Sequence, residues 1–150
     1  VDIPSLPAEI ASVFLEKDKK IIFDVGGDDT GAVALGRYHK YFLEDDYEML
    51  MVVNVFRPFT SCPEDIAELA SLISARSRLS FSALINNSNV GLLTEKNNIK
   101  YGITVVDKAA KLLNIPVRAV LADRNIISKL DDADLPVITP ITTYMRPEWL

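Results

Sequence analysis

Continuous apolar runs alternate along the chain with stretches in which apolar residues recur every three or four positions. This is the pattern of buried parallel strands joined by amphipathic helices. The runs predict five strands: residues 20–25 (KIIFDV), apolar until Asp24, then 49–55 (MLMVVNV), 81–85 (FSALI), 117–121 and a weaker 135–139. Between the first two, Asp28 and Asp29 stand where they cap and charge the start of a helix over 30–43, with Ala34, Tyr38 and Tyr41 on one face. Ser61-Cys62-Pro63-Glu64 fits a capping box with Pro in the first turn, ahead of a stripe of Ile66, Leu69, Ala70 and Ile73. Thr94 is the expected cap of a further helix, striped by Ile99, Ile103, Val106, Ala110 and Leu113 and stopped at Asn114 before Pro116. A short helix over 5–16 precedes the first strand. The expected fold class is α/β: a mostly parallel sheet of about five strands with helices on both faces, in one domain spanning residues 1–150. No repeat, low-complexity tract or dividing linker interrupts it.

Composition narrows the classes of function. The chain has 150 residues, 49% of them hydrophobic, and a net charge of -5. A domain of this length buries about 68–70% of its unfolded surface and needs no disulfide or structural metal, and the single Cys62 agrees. The acidic balance argues against a general binder of nucleic acid or acidic membranes, although a local basic patch stays open. The opening VDIPSLPAEI lacks a signal peptide and there is no long apolar span, so a cytoplasmic location is expected. The chain begins without Met, which points to a fragment.

In open parallel sheets ligands sit beyond the carboxyl ends of the strands, and three such ends carry candidates. In IIFDVGGDDTG, Asp24 at a strand tip calls for a partner, hydration or a cation. Gly26 and Gly27 allow a phosphate close to backbone N–H groups at a helix start. Equally, the glycines serve a tight turn while Asp28 or Asp29 caps the helix. In ALINNSNVG, Asn86 or Asn87 offers a donor and an acceptor to a base edge, or forms an Asx turn. In NVFRPFT, Arg57 meets a phosphate or a partner's carboxylate, or makes a surface salt bridge. His39 has no second ligand at metal spacing and reads as solvated or capping. Cys62 lies at a helix start that lowers a thiol pKa, but no histidine is near it and an inert thiol is expected. The tail holding Tyr144, Met145 and Trp149 is expected to pack back on the domain rather than serve a partner.

Taken together, IIFDVGGDDTG, VVNVFRPFT with the capped helix after it, ALINNSN, NIPV and LPVITPI resemble the downstream part of a P-loop ATPase of the MinD/ParA/CobQ class. Within it the likeness is to a set of uncharacterised bacterial ATP-binding proteins, and it covers nearly the whole chain from about residue 4. The resemblance implies a three-layer P-loop fold with ATP and Mg²⁺ as cofactors. It makes Asp24 the acid that holds Mg²⁺ through water, and DVGGDDTG the switch loop that senses the terminal phosphate through the N–H groups of Gly26 and Gly27. Asp28 or Asp29 then either orients the attacking water or caps the helix. Asn86 or Asn87 would contact adenine, and the loop after the last strand, around Pro140, would line the base pocket. Turnover in such proteins commonly drives dimerisation or docking, so a second copy and another protein are the implied partners beside the nucleotide.

One departure is large. The G-x-x-x-x-G-K-[ST] loop and its lysine-rich variant are absent, and no Gly is followed by Lys. With them go the phosphate cradle and most of the transition-state stabilisation. The resemblance sets the lacking strand in the middle of the sheet, beside 20–25. The chain thus reads as the later part of a longer ATPase, inactive alone, in which the flanking strands either close up or take an edge from another chain. Two other readings stand beside it: a non-catalytic α/β interaction domain that has lost the P-loop, and a flavodoxin-like mononucleotide binder.

Overall fold

The computed structural model describes residues 9–16, 18–128, 130 and 136–142. These form six α-helices and four strands in the order α1 (Glu9–Val13), α2 (Asp29–Arg37), α3 (His39–Glu44), β1 (Leu50–Val53), α4 (Pro63–Ser77), β2 (Ala83–Asn86), α5 (Lys96–Leu113), β3 (Val117–Asp123), α6 (Arg124–Ile127) and β4 (Ile138–Ile141). A 3₁₀ turn, Gly91–Leu93, precedes α5. No described helix is long and apolar enough to cross a membrane. The chain packs as two compact units: the described residues up to Met49 together with Ala70–Ser80, and Leu50–Leu69 together with the described residues from Phe81 onward.

The second unit holds the sheet. Its strands lie parallel in the sequential order β1-β2-β3-β4, so the coarse α/β expectation holds. β1 and β4 are the edges of the described sheet. Ile99 of α5 and Ile126 and Ile127 of α6 meet Val120 and Ala122 of β3 in one cluster, which puts both helices on the same face. That follows from sequence order, because successive right-handed crossovers between neighbouring strands all return on one side. The core here is Val53, Ile66, Leu84, Ile99 and Val106, each 2% exposed or less. Burial of side chains of this kind contributes about 1.5–3 kcal/mol apiece. α5 owes its limits to its ends. Glu95 and Asn98 form a reciprocal capping box, and Asn114 closes the helix in the left-handed conformation at φ 54°. Thr94, the expected cap, instead accepts from Val90 N–H and donates to the Gly91 carbonyl, bracing the 3₁₀ turn.

The first unit is held by rings. Phe14 stacks on Phe23 (centroids 5.3 Å apart) and Tyr41 (5.0 Å) and meets Phe42 edge-on (5.0 Å). Such pairs contribute about 0.5–1.5 kcal/mol each beyond area burial.

Several expectations are corrected. Residues 20–25 are neither helix nor strand. A strand exists only through a ladder with a neighbour, and this segment has none among the described residues: Phe23 is drawn into the ring cluster while Ile22 is 86% exposed. The described sheet therefore has four strands rather than five. The expected helix over 30–43 is two helices, broken at Tyr38. The Gly36 carbonyl, which should continue the ladder, is taken by Arg78 Nη2 at 3.0 Å and by His39 Nδ1 at 3.0 Å. Only glycine fits there, since a Cβ on Gly36 would lie 2.6 Å from the Arg76 carbonyl oxygen. The cap of α4 is Cys62 rather than Ser61: Cys62 O accepts from Ile66 N–H, its Sγ accepts from Asp65 N–H, and Ser61 Oγ donates to the Asp65 carboxylate. Pro63 opens the helix, as expected. The helix expected from residue 5 is α1, its first part and the tail with Tyr144, Met145 and Trp149 lying outside the described residues.

Candidate functional site

The candidates fall into two groups, one in each unit. In the first, the chain leaves the ring cluster at Phe23 and runs through exposed Asp24, Gly26 and Gly27 into α2. Asp28 is the N-cap. Its Oδ1 accepts from Gly31 N–H at 2.8 Å and its carbonyl accepts from Ala32 N–H. The loop folds tightly over the helix start, for a Cβ on Gly31 would collide with the Gly26 carbonyl oxygen. The N–H groups of Gly26 and Gly27 make no hydrogen bond among the described residues. Asp24 sits on an irregular segment rather than at a strand tip, and it has no ion pair among the described residues. Of the two candidate caps, Asp28 caps; the side chain of Asp29 lies outside the described part.

The second group lies at the carboxyl ends of β1 and β2, where short polar side chains tie two loops together. Asn54, directly after β1, donates from Nδ2 to Asn89 O at 2.9 Å, and its Oδ1 accepts from Phe56 N–H (3.0 Å) and Asn89 N–H (3.2 Å). Thr60 Oγ1 donates to Asn54 O at 2.7 Å, folding the Arg57 loop back. Ser88 Oγ donates to Asn86 Oδ1 at 2.6 Å and accepts from Val55 N–H. Asn89 Oδ1 accepts from Gly91 N–H. Asn54, Asn86 and Asn89 each accept from the N–H two residues on, so each closes an Asx turn.

Asn86 and Asn87 thus part company. Asn86 is the last residue of β2, 2% exposed, with its acceptor oxygen consumed by Ser88; the Asx-turn reading holds for it. Asn87 is half-buried, and its carboxamide makes no hydrogen bond among the described residues. Arg57 is exposed with no ion pair among the described residues. Beside it Pro58 and Phe59 occupy the centre of a turn closed by Thr60 N–H on Arg57 O, with Phe59 at φ 66° and 79% exposed. Pro140 lies inside β4 opposite Ala122 and not in a loop beyond it. It is tolerated there because β4 is an edge strand.

Asn54, Ser88, Asn89 and Thr60 were not singled out by sequence. The available signal was the recurrence of Asn just beyond two strands, at 54, 87 and 89. A cavity of about 720 Å³ runs along α5 past Ile103, Val106 and Ala110 to Pro116, Val117 and Val137. It reaches Asn86 at the end of β2 and extends to the amino ends of β3 and β4.

The Cys62 thiol is held above its ordinary pKa. The Asp65 N–H on its sulfur favours the thiolate, but the side-chain bond to Asp65, desolvation and the Glu64 and Asp65 carboxylates outweigh it and push the pKa up. The helix start alone would have lowered it. His39 is half-buried, its Nδ1 on the Gly36 carbonyl. No cluster of three metal-ligating side chains occurs among the described residues. Comparison with protein-family models, curated proteins and solved structures finds no match.

Proposed function

We propose that this chain is the switch-loop and base-recognition part of a Mg²⁺-dependent P-loop ATPase. The observation that carries the reading is the open edge of β1. In the resembled class a strand and its phosphate loop belong beside this edge, with 20–25 on the far side. Among the described residues β1 has a ladder on one side only and 20–25 has none. The chemistry of the residues is compatible. Mg²⁺ keeps most of its waters and is bound through one or two carboxylates plus substrate phosphates, so the lone exposed Asp24 suits it without a cage. The ion would supply charge neutralisation on the phosphates.

This chain's residues then divide the work. Gly26 and Gly27 offer to a phosphate oxygen two exposed N–H groups that are unbonded among the described residues. Asp28 holds the helix start by capping it, which leaves Asp29 as the acid for a water. Asn87, with its carboxamide unbonded, is the base reader in preference to Asn86. Arg57 is available to a phosphate or to a partner's carboxylate. Titrating MgATP into the isotopically labelled full gene product tests this: the amides of Gly26, Gly27 and Asn87 should shift together, and unmoved amides would reject it.

A second reading, a protein-interaction domain, draws on Phe59. A bulky residue at positive φ costs about 1–3 kcal/mol and such strain gathers at functional sites. Here it holds an aromatic ring in water next to Arg57, and aromatic residues and Arg are enriched at protein–protein interfaces.

A further inference from the structure

We infer that the cavity beneath the second half of α5 is a binding site for a small, uncharged, apolar molecule that carries a carbonyl group. The inference stands apart from the nucleotide reading. At about 720 Å³ the cavity has the size of a ligand pocket, for which about 300–1,000 Å³ is usual. Its apolar wall is Ile103, Val106 and Ala110 of α5 with Val117 and Val120 of β3. Val117 and Val120 are three positions apart, so in a regular strand they would face opposite sides of the sheet. The β2–β3 register skips Arg118, pairing Leu84 with Val117 and Ile85 with Ala119, and this irregularity brings both valines to the α5 face.

Asn86 adds one polar group to this wall. Ser88 fixes its orientation: Asn86 Oδ1 accepts from Ser88 N–H at 3.0 Å and from Ser88 Oγ at 2.6 Å. A backbone N–H can only donate, so the atom facing Ser88 is the oxygen and Nδ2 is turned away. Nδ2 makes no hydrogen bond among the described residues, although Asn86 is only 2% exposed. No fully buried side-chain nitrogen or oxygen among the described residues lacks a partner, so Nδ2 is not sealed in. The space that Asn86 borders is this cavity, and a donor without an acceptor faces into it.

These features set the class of ligand. The unused N–H calls for an acceptor oxygen. A single amide donor in an apolar wall does not compensate the burial of a carboxylate or a phosphate, whereas a neutral carbonyl is satisfied by the one bond. The other polar side chains that border the cavity, Asp107, Lys111, Asn114 and Arg118, are all exposed, and Lys111 Nζ lies 2.7 Å from Asp107 Oδ2. They stand at the mouth, and the inner end is left to an uncharged group.

The probe is Prodan, an uncharged naphthyl ketone whose emission moves to the blue in apolar surroundings. Titrated into the 150-residue chain, it should bind saturably at one site with blue-shifted emission. In competition with Prodan, its alkyl analogue, with CH₂ in place of the carbonyl, should bind about two- to tenfold more weakly than the ketone. Asn86→Asp keeps the oxygen that Ser88 needs and removes the donor, so the advantage of the ketone should vanish. Val117→Phe fills the cavity with a residue that suits a strand, and saturable binding should be lost while circular dichroism stays unchanged. In the unsubstituted chain the Asn86 side-chain amide resonances should shift on saturation with Prodan, a readout that holds whether or not either variant folds. Absence of saturable binding, equal affinity for the ketone and its alkyl analogue, binding that survives Val117→Phe in a folded protein, or an Asn86 side-chain amide unmoved at saturation would overturn the inference.

Discussion

Ser88 Oγ donates to Asn86 Oδ1 at 2.6 Å directly against Gly102, where a built Cβ would lie 2.5 Å from Ser88 Cβ. The buried end of β2 therefore depends on a helix residue with no side chain. Gly102→Ala is expected to gain helix propensity but lose more to overpacking, about 1–3 kcal/mol net destabilisation. A lower urea midpoint with unchanged slope would show it.

Asn54 satisfies two backbone N–H groups and one carbonyl of neighbouring loops. Asn54→Ala leaves those groups without their partner, at a cost of about 1–3 kcal/mol. Amide exchange should quicken most at Phe56 and Asn89, while the amides of α5 keep their protection. Uniform quickening would mean that the clamp is not local.

Phe59 occupies a position that type II turns give to glycine. Phe59→Gly should relieve local strain and raise the thermal midpoint, by about 1 kcal/mol equivalent. If the interaction reading also holds, the more stable variant loses its partner. A variant less stable than the parent would show that the exposed ring packs in solution.

Cys62 should alkylate slowly at neutral pH, because its pKa is raised and little thiolate is present. Asp65→Asn removes the carboxylate that raises it while keeping the N–H that lowers it. The alkylation profile should move to lower pH. Since the thiol holds its proton more tightly folded than unfolded, its small stabilisation is present at low pH and fades as pH rises through the folded pKa.

What the sequence made legible was local. The stop at Asn114 and the stripe from Ile99 to Ala110 are written within one helix, as is Pro63 in the first turn of α4. What stayed hidden depended on distant partners. The break after Gly36 comes from Arg78, 42 residues away, taking a carbonyl. The segment 20–25 has the composition of a strand, but composition does not supply the neighbour that would make it one. The strand boundary at β2 differed by one residue, which turned Asn86 from a loop residue into a buried one. For the candidate site, Asp28 and the Asn-rich loop were found, and Asn54, which organises that loop, was not.

The most direct test of the proposed function is titration of a fluorescent ATP analogue, with and without Mg²⁺, into the full gene product, this chain alone, and the full product carrying Asp24→Asn. The account predicts Mg²⁺-dependent binding by the full product, loss of the Mg²⁺ dependence in the Asp24→Asn protein, and little binding by the chain alone. Absence of binding by the full product, or binding that is indifferent to both Mg²⁺ and Asp24, would contradict it.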